Sequence, residues 1–300
     1  MRILVTGSAG FLGTHLVREL RSRGHEITGC DLRHWPGEMR ADIADWGQLS
    51  RVFTNVKPEV CFNLAGEFGR RSGDEFAEQL WRTNCLGVRN IEEACLAWDT
   101  HLIHASSSEA YGTLADHGTD LTESLLDNYV PQFHNEYSLT KWCNEKQIQM
   151  AQRNHGLKAT ILRFFNVYGP GEYYSDYRSV VCLFIYRALK GLPITVYSET
   201  RRSFLYVDDW VRAVANVLNL SPDTFNIGSD DLVTMRTLMD MVFSEIPMKS
   251  EIVYRDYETG NVRDKKPDIS RARELLDLGN HTSLRVGIRK TVNWMREVYP

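Results

Sequence analysis

Two residues one helical turn apart open the chemical reading of this chain. They are Tyr137 and Lys141, in Tyr137-Ser138-Leu139-Thr140-Lys141. They head an amphipathic run that predicts a helix to about Arg153. Residues four apart share one helical face. A phenol, with an unperturbed pKa of about 10, is a poor base near neutrality. An ammonium group one turn away favours its phenolate form. A hydroxyl on a facing strand can then share the proton, and Ser106-Ser107-Ser108 follows the apolar strand His101 to Ala105. Ser107, Tyr137 and Lys141 thus form a candidate proton-transfer unit, useful beside a group that accepts hydride. The spacing alone is also met by a helix face with one packed tyrosine and one exposed lysine.

The elements that would position a hydride acceptor stand at the start of the chain. Arg2 to Thr6 is a short apolar strand, and Gly7-Ser8-Ala9-Gly10-Phe11-Leu12-Gly13 follows at once. An amphipathic run from Thr14 to Arg23 then puts Leu16, Val17 and Leu20 on one face. Gly24 stops it, and a second strand, Glu26 to Cys30, leads to Asp31. This is a βαβ unit with a phosphate-binding turn. Glycines let the backbone approach a pyrophosphate, and the helix N-terminus offers unpaired N–H groups to it. Asp31 would accept both ribose hydroxyls of an adenosine and repel a 2′-phosphate, which favours NAD over NADP. Arg33 argues the other way, since an arginine can hold that phosphate. The alternative is a tight strand–helix turn without a ligand.

Composition bounds the rest. The chain has 300 residues, 43% of them hydrophobic, enough to bury a sizeable core in one large or two intimate domains. Net charge is −4 and basic residues run no longer than pairs, so nucleic acid is not an expected partner. Six cysteines without a C-x-x-C read as buried residues of a reducing compartment. No apolar stretch approaches eighteen residues, so no membrane span is expected. The chain opens directly on a core strand, which leaves no room for a signal peptide and suggests a cytoplasmic protein. Nine histidines without an H-E-x-x-H or a matched cysteine pair give no metal centre.

Further motifs follow in order. Arg40 to Ile43 predicts a short strand ending near Asp42. Val60 to Gly66 is a buried strand that closes in Asn63-Leu64-Ala65-Gly66, and Glu67 to Asp74 has loop composition. A long helix is expected over about Phe76 to Trp98, with Asn84 in Thr83-Asn84-Cys85-Leu86-Gly87. Ser107-Ser108-Glu109-Ala110-Tyr111-Gly112 ends the central strand. Leu162 to Gly171 reads Arg163-Phe164-Phe165-Asn166-Val167-Tyr168-Gly169-Pro170-Gly171. Arg202-Ser203-Phe204-Leu205-Tyr206-Val207-Asp208-Asp209 precedes a helix from Trp210 to Leu220 that Asp208 would cap. Arg263 and Lys266-Pro267-Asp268 come late.

The G-x-x-G-x-x-G turn with these motifs resembles the extended short-chain dehydrogenase/reductase family, in its nucleotide-sugar epimerase/dehydratase branch, over nearly the whole chain. The resemblance implies an α/β fold: a Rossmann-type doubly wound parallel sheet with a smaller C-terminal substrate-binding lobe. Residues 1–170 with about 204–230 would form the NAD-binding domain, and 171–203 with 231–300 the nucleotide-sugar lobe. It implies NAD contacts from Gly7, Gly10, Phe11, Leu12, Gly13, Asp31, Leu64, Ala65, Gly66, Asn84, Tyr137 and Lys141. Asp42 and Ile43 would bind the adenine edge, Asp42 at the amino group and Ile43 by its backbone, or Asp42 would merely cap a helix starting near Trp46. Ser108, Asn166, Arg202 and Arg263 would hold a nucleoside-diphosphate sugar, although the stretch around Arg263 also suits a solvated loop. Ser107, Tyr137 and Lys141 would be catalytic, with Ser108 and Glu109 where 4,6-dehydratases carry Asp-Glu. Glu109 matches and Ser108 does not; Ser-Ser-Glu is closer to the Thr-Ser-Glu of nucleotide-glucuronate decarboxylases. A 4-epimerase needs no further acid or base and is expected first, ahead of a dehydratase or decarboxylase, and well ahead of a non-catalytic dinucleotide sensor. The resemblance further implies a homodimer through the helices near 76–98 and 136–154.

Overall fold

The first strand pairs where its sequence says it should. In the computed structural model, which describes residues 1–33, 36–118, 120–247, 249–256, 258 and 260–300, β1 spans Arg2–Thr6. Ile3, Leu4 and Val5 are all fully buried, so both faces of β1 are covered. A strand buried on both faces belongs in a parallel sheet. Helix α1 (Phe11–Ser22) buries Leu16, Val17 and Leu20, and returns the chain to β2 (Glu26–Asp31) beside β1.

The same logic repeats. A short β3 (Met39–Arg40) pairs with the end of β2. Helix α2 (Trp46–Val56) starts at Asp45, whose carboxylate accepts from the Gln48 N–H, and stops at Lys57 in the left-handed region. The completely buried β4 (Val60–Asn63) lies on the other side of β1. Then come α3 (Arg70–Glu75), α4 (Ala77–Trp81), a π-helical turn (Arg82–Gly87) and α5 (Val88–Ala97). Strand β5 (His101–Ser107) pairs with β4, α6 (Glu136–His155) follows, and β6 (Ala159–Phe164) pairs with β5. Strand β7 (Thr224–Ile227) closes the edge next to β6. Among the described residues the sheet runs β7-β6-β5-β4-β1-β2-β3. That is the expected doubly wound sheet, whose ligands bind at the carboxyl ends of the strands. Leu4, Cys61, Leu102 and Ile161 on one face meet Val52 and Phe53 of α2, Ile91 and Cys95 of α5 and Ile148 of α6.

The chain forms two compact units. One consists of Met1–Ala110, Asn135–Phe164 and Val214–Phe225 and holds most of the sheet; the other of Tyr111–His134, Phe165–Ala213 and Asn226–Pro300. In the second unit, Arg201–Ser203 pairs antiparallel with Leu232–Thr234 and parallel with Asp264–Lys265. Ile194–Tyr197 pairs in parallel with Ile252–Arg255. The six cysteines are all free. Among the described residues no helix is long and apolar enough to cross a membrane.

Four local expectations need correction. The polar stretch 67–74 is not all loop, because α3 forms within it; Gly73 lets α3 approach the start of α6, where a Cβ on Gly73 would lie 3.3 Å from the Tyr137 Cβ. The expected helix from Phe76 to Trp98 is broken into α4, the π turn and α5. Asp45, not Asp42, caps the helix at Trp46, and the helix expected at Trp210 runs Val207–Asn216. Asp208 therefore lies in its first turn, while the Asp209 carboxylate accepts from the Thr282 N–H at 2.7 Å.

Candidate active site

Strand β5 and helix α6 bring the proton-transfer residues together. The Asn135 side chain accepts from the Ser138 N–H at 2.8 Å and so fixes where α6 begins. Tyr137 and Lys141 then fall in its first two turns. The Tyr137 hydroxyl is hydrogen-bonded to Ser107, the last residue of β5. Ser107 Oγ also accepts from the Glu109 N–H at 3.2 Å. Lys141 is buried; its ammonium lies 5.9 Å from the Tyr137 ring centre and donates to the Ala105 carbonyl at 2.9 Å. Glu109 stands at the same place, its carboxylate accepting from Ser138 Oγ at 2.9 Å. Ser108 is buried beside it in the chain.

The electrostatics of this group have clear causes. Loss of water around its hydroxyl pushes the Tyr137 phenol above its ordinary pKa; the Ser107 hydrogen bond opposes this and the Glu109 charge adds to it. Burial pulls the Lys141 ammonium down to about 8, against the pull of Glu145 and Cys85. Tyr137 thus starts as a neutral phenol, and positive charge placed near it is what would lower its proton affinity.

The turn after β1 has the form of a phosphate cradle. Gly7 has a φ of 70°, and a Cβ there would lie 2.7 Å from the Ala65 nitrogen. Gly13 packs against the Gly7 carbonyl, where no side chain fits. Helix α1 starts at Gly10 with no side chain capping it, so its first N–H groups face the turn. Asp31 accepts from the Ala9 N–H at 3.1 Å and from the Arg33 N–H at 2.9 Å. The Arg33 guanidinium donates to the Ala9 carbonyl at 2.6 Å. Asp42 accepts from the Ala44 N–H at 2.8 Å and pairs with Arg82 at 2.6 Å. Ile43 packs against Gly87 of the π turn, and Leu64 follows β4 against Gly7. The Asn84 amide accepts from the Glu67 N–H at 2.8 Å and donates to the Glu67 carbonyl and to Thr140 Oγ1. A Cβ on Gly66 would lie 3.1 Å from Asn84 Oδ1 and 3.8 Å from the Lys141 ammonium. The turn, Ala65, Gly66, Asn84, Lys141 and Tyr137 therefore form one continuous row at the carboxyl ends of β1, β4 and β5.

In the second unit Asn166, Arg202 and Arg263 are neighbours. Asn166 Nδ2 donates to the Ser203 carbonyl at 2.9 Å. Arg202 is buried, and its guanidinium donates to the carbonyls of Arg201, Val262 and Arg263 and to Asn261 Oδ1, all within 2.7–2.8 Å. The Arg263 N–H donates to Asp116 at 2.7 Å. Arg202 thus holds the 261–263 backbone in place.

Comparison with known proteins identifies the family. Residues 3–228 match the model of the NAD dependent epimerase/dehydratase family. The chain belongs to that family. It is 28% identical to a UDP-N-acetyl-alpha-D-glucosaminuronate decarboxylase of Bacillus cytotoxicus, over 99% of this chain and 98% of the relative. Among solved structures it resembles UDP-glucose 4-epimerase of Thermotoga maritima with UDP-glucose, with a TM-score of 0.90, 28% identity and full coverage of both chains. It also resembles the Thermus thermophilus UDP-glucose 4-epimerase in complex with NAD, with a TM-score of 0.87, 27% identity and 99% coverage of each chain.

NAD is the cofactor of the family, and the donors around the turn suit it: an uncapped helix N-terminus for a pyrophosphate and a carboxylate for a ribose. The motifs used to recognise the family pass over one part of the site. Glu145 lies one turn after Lys141 and is fully buried. Its carboxylate takes Arg163 of β6 through Nε at 3.0 Å and Nη2 at 2.7 Å, and Ser106 Oγ at 2.5 Å. Ser106 precedes Ser107, so this buried clamp ties the end of β5 to the helix that carries Tyr137 and Lys141. An arginine inside the apolar strand Ala159–Phe164 was the available signal, because a buried guanidinium demands a partner.

Proposed function

We propose that the protein is an NAD-dependent nucleotide-sugar 4-epimerase, acting on a UDP-sugar by transient oxidation at C4. The observation that carries this is the Ser107–Tyr137–Lys141 group with a serine at 108 and Glu109 hydrogen-bonded to Ser138. Tyr137 takes the proton of the C4 hydroxyl, and Ser107 holds that hydroxyl and the phenol in line. Lys141 places positive charge one turn away and favours the phenolate. Bound NAD would supply the hydride acceptor for C4 and the hydride for its return. Tyr137 returns the proton once the keto sugar has turned its other face. The phosphate turn and Asp31 hold the dinucleotide, with Asp42, Ile43, Leu64, Ala65, Gly66 and Asn84 along its length. Asn166 binds the substrate diphosphate and Arg263 its nucleotide end, while Arg202 shapes the segment that carries Arg263.

Dehydration would need an acid for the leaving hydroxyl beside a base for the C5 proton, and the Ser108 hydroxyl is too weak an acid for that. Decarboxylation is the second reading, supported by the Ser-Ser-Glu segment and by the decarboxylase relative. Mass spectrometry of UDP-, TDP-, GDP- and CDP-sugars incubated with the protein in deuterated water separates these. The epimerase gives a product of unchanged mass with no carbon-bound deuterium. Loss of carbon dioxide establishes the decarboxylase instead. Loss of water with carbon-bound deuterium, abolished in Glu109→Gln, establishes a dehydratase.

A further inference from the structure

A glycine interrupts β2 two residues before Asp31. Residues two apart on a strand share a face, so Gly29 and Asp31 point the same way. A Cβ on Gly29 would lie 2.5 Å from the Glu38 carboxyl carbon and 2.8 Å from Ser8 Oγ. The Glu38 carboxyl group therefore takes the place that a side chain at 29 would fill. Glycine inside a strand often marks such a close approach. Ser8, buried in the phosphate turn, donates to Glu38 at 2.5 Å, and the next residue, Ala9, donates its N–H to Asp31 at 3.1 Å. Adjacent residues of the turn thus bind two different carboxylates.

We propose that Glu38 is a second specificity-determining acid of the dinucleotide site, standing with Asp31 against a 2′-phosphate. This rests on the assignment of that site to NAD above. The cation that could welcome the phosphate is already engaged: Arg33 Nε lies 3.5 Å from Asp31, and its other end donates to the Ala9 carbonyl. Arg40, opposite Asp31 on β3, is engaged as well, donating to the Leu32 carbonyl. Glu38, held among the described residues only by Ser8, thus adds a negative charge that neither guanidinium is shown to neutralise. A phosphate dianion entering there meets repulsion from both acids, at a range where unit charges at a protein surface interact appreciably. Ser8 and Gly29 keep Glu38 at this spot. Neutralising Asp31 alone leaves Glu38 in place, so discrimination survives the loss of the better-placed acid.

The test counts bound dinucleotides. The full chain, Glu38→Gln, Asp31→Asn and the double variant are each equilibrated with equal NAD and NADP, freed of unbound ligand and denatured. Released NAD and NADP are then measured by mass spectrometry. The unaltered protein should carry NAD almost alone. Glu38→Gln should raise the NADP:NAD ratio on the order of tenfold, Asp31→Asn should still favour NAD, and the double variant should exceed both. If Glu38→Gln yields no folded protein, Glu38→Ala is read by the same ratio. A ratio unchanged by removal of the Glu38 charge overturns the proposal. So does an Asp31→Asn ratio equal to that of the double variant, or a protein that binds neither dinucleotide. Absence of sugar turnover in a protein that holds NAD would overturn the proposed reaction and leave this ratio readable.

Discussion

Tyr137 carries one oxygen that the proposed reaction cannot do without. Tyr137→Phe keeps the ring and the Cβ that lies near Gly73, and leaves α6 intact. Turnover should fall at least about a hundredfold, the usual size of a positioned acid or base, while bound NAD stays at its normal level. Activity near that of the unaltered protein would remove Tyr137 from the mechanism. Lys141 makes a pH-dependent prediction. It gives up its proton near pH 8 in the folded protein and near its ordinary 10.5 in the unfolded chain. Between these values the unfolded chain binds more protons, so this residue makes stability rise with pH. Urea unfolding at pH 7.5 and 9.5 should show that rise, and Lys141→Met should flatten it. An equal slope in both proteins would contradict the burial assigned to Lys141. Catalysis has the opposite sign, because the positive charge that supports the phenolate is lost above about pH 8.

The clamp between α6, β5 and β6 shows what spacing rules can and cannot find. Strand β1, helix α1 and β2 announce themselves by short apolar runs, by helical period and by their glycines, and they form within three residues of where the sequence puts them. Tyr137 and Lys141 are legible because both lie on one helix. Glu145 and Arg163 are eighteen residues apart on different elements, and only packing shows that they meet. Helix α3 was missed because Arg70–Glu75 has no apolar period; it packs through a glycine. The π turn was missed because its residues read as ordinary helix, and it is this turn that seats Asn84 against Glu67 and Thr140. Arg163→Leu should destabilise the protein by about 3–5 kcal/mol, since it leaves the buried Glu145 charge without its partner. Replacing Glu145 by Leu in the same chain should recover a large part of that loss in chemical denaturation. A single substitution costing less than about 1 kcal/mol would show that the pair is not sealed from water.

At the scale of the molecule the chain forms two units, and the proposed function would place NAD on the first and draw the sugar-nucleotide contacts Asn166 and Arg263 from the second. Membership of the family was legible from motifs spread along the chain. The sugar was not, because the residues that would hold it lie on short strands and loops of the second unit, and Arg202 shows how a motif residue can be taken up by its own backbone. Self-association belongs to this scale as well. Leu86 and Met150, both about half exposed, lie on the π turn and α6, where a homodimer would form. Light scattering should give twice the chain mass, and Leu86→Lys with Met150→Lys should give single chains; a monomer before substitution would exclude that face. The central claim is that hydride leaves C4 and returns to the same carbon. It is tested most directly with a UDP-sugar carrying deuterium at C4, the product being examined by NMR and mass spectrometry. The account predicts an inverted C4 that keeps its deuterium, with no change in mass. A product that has lost the label, or has lost carbon dioxide or water, would contradict it.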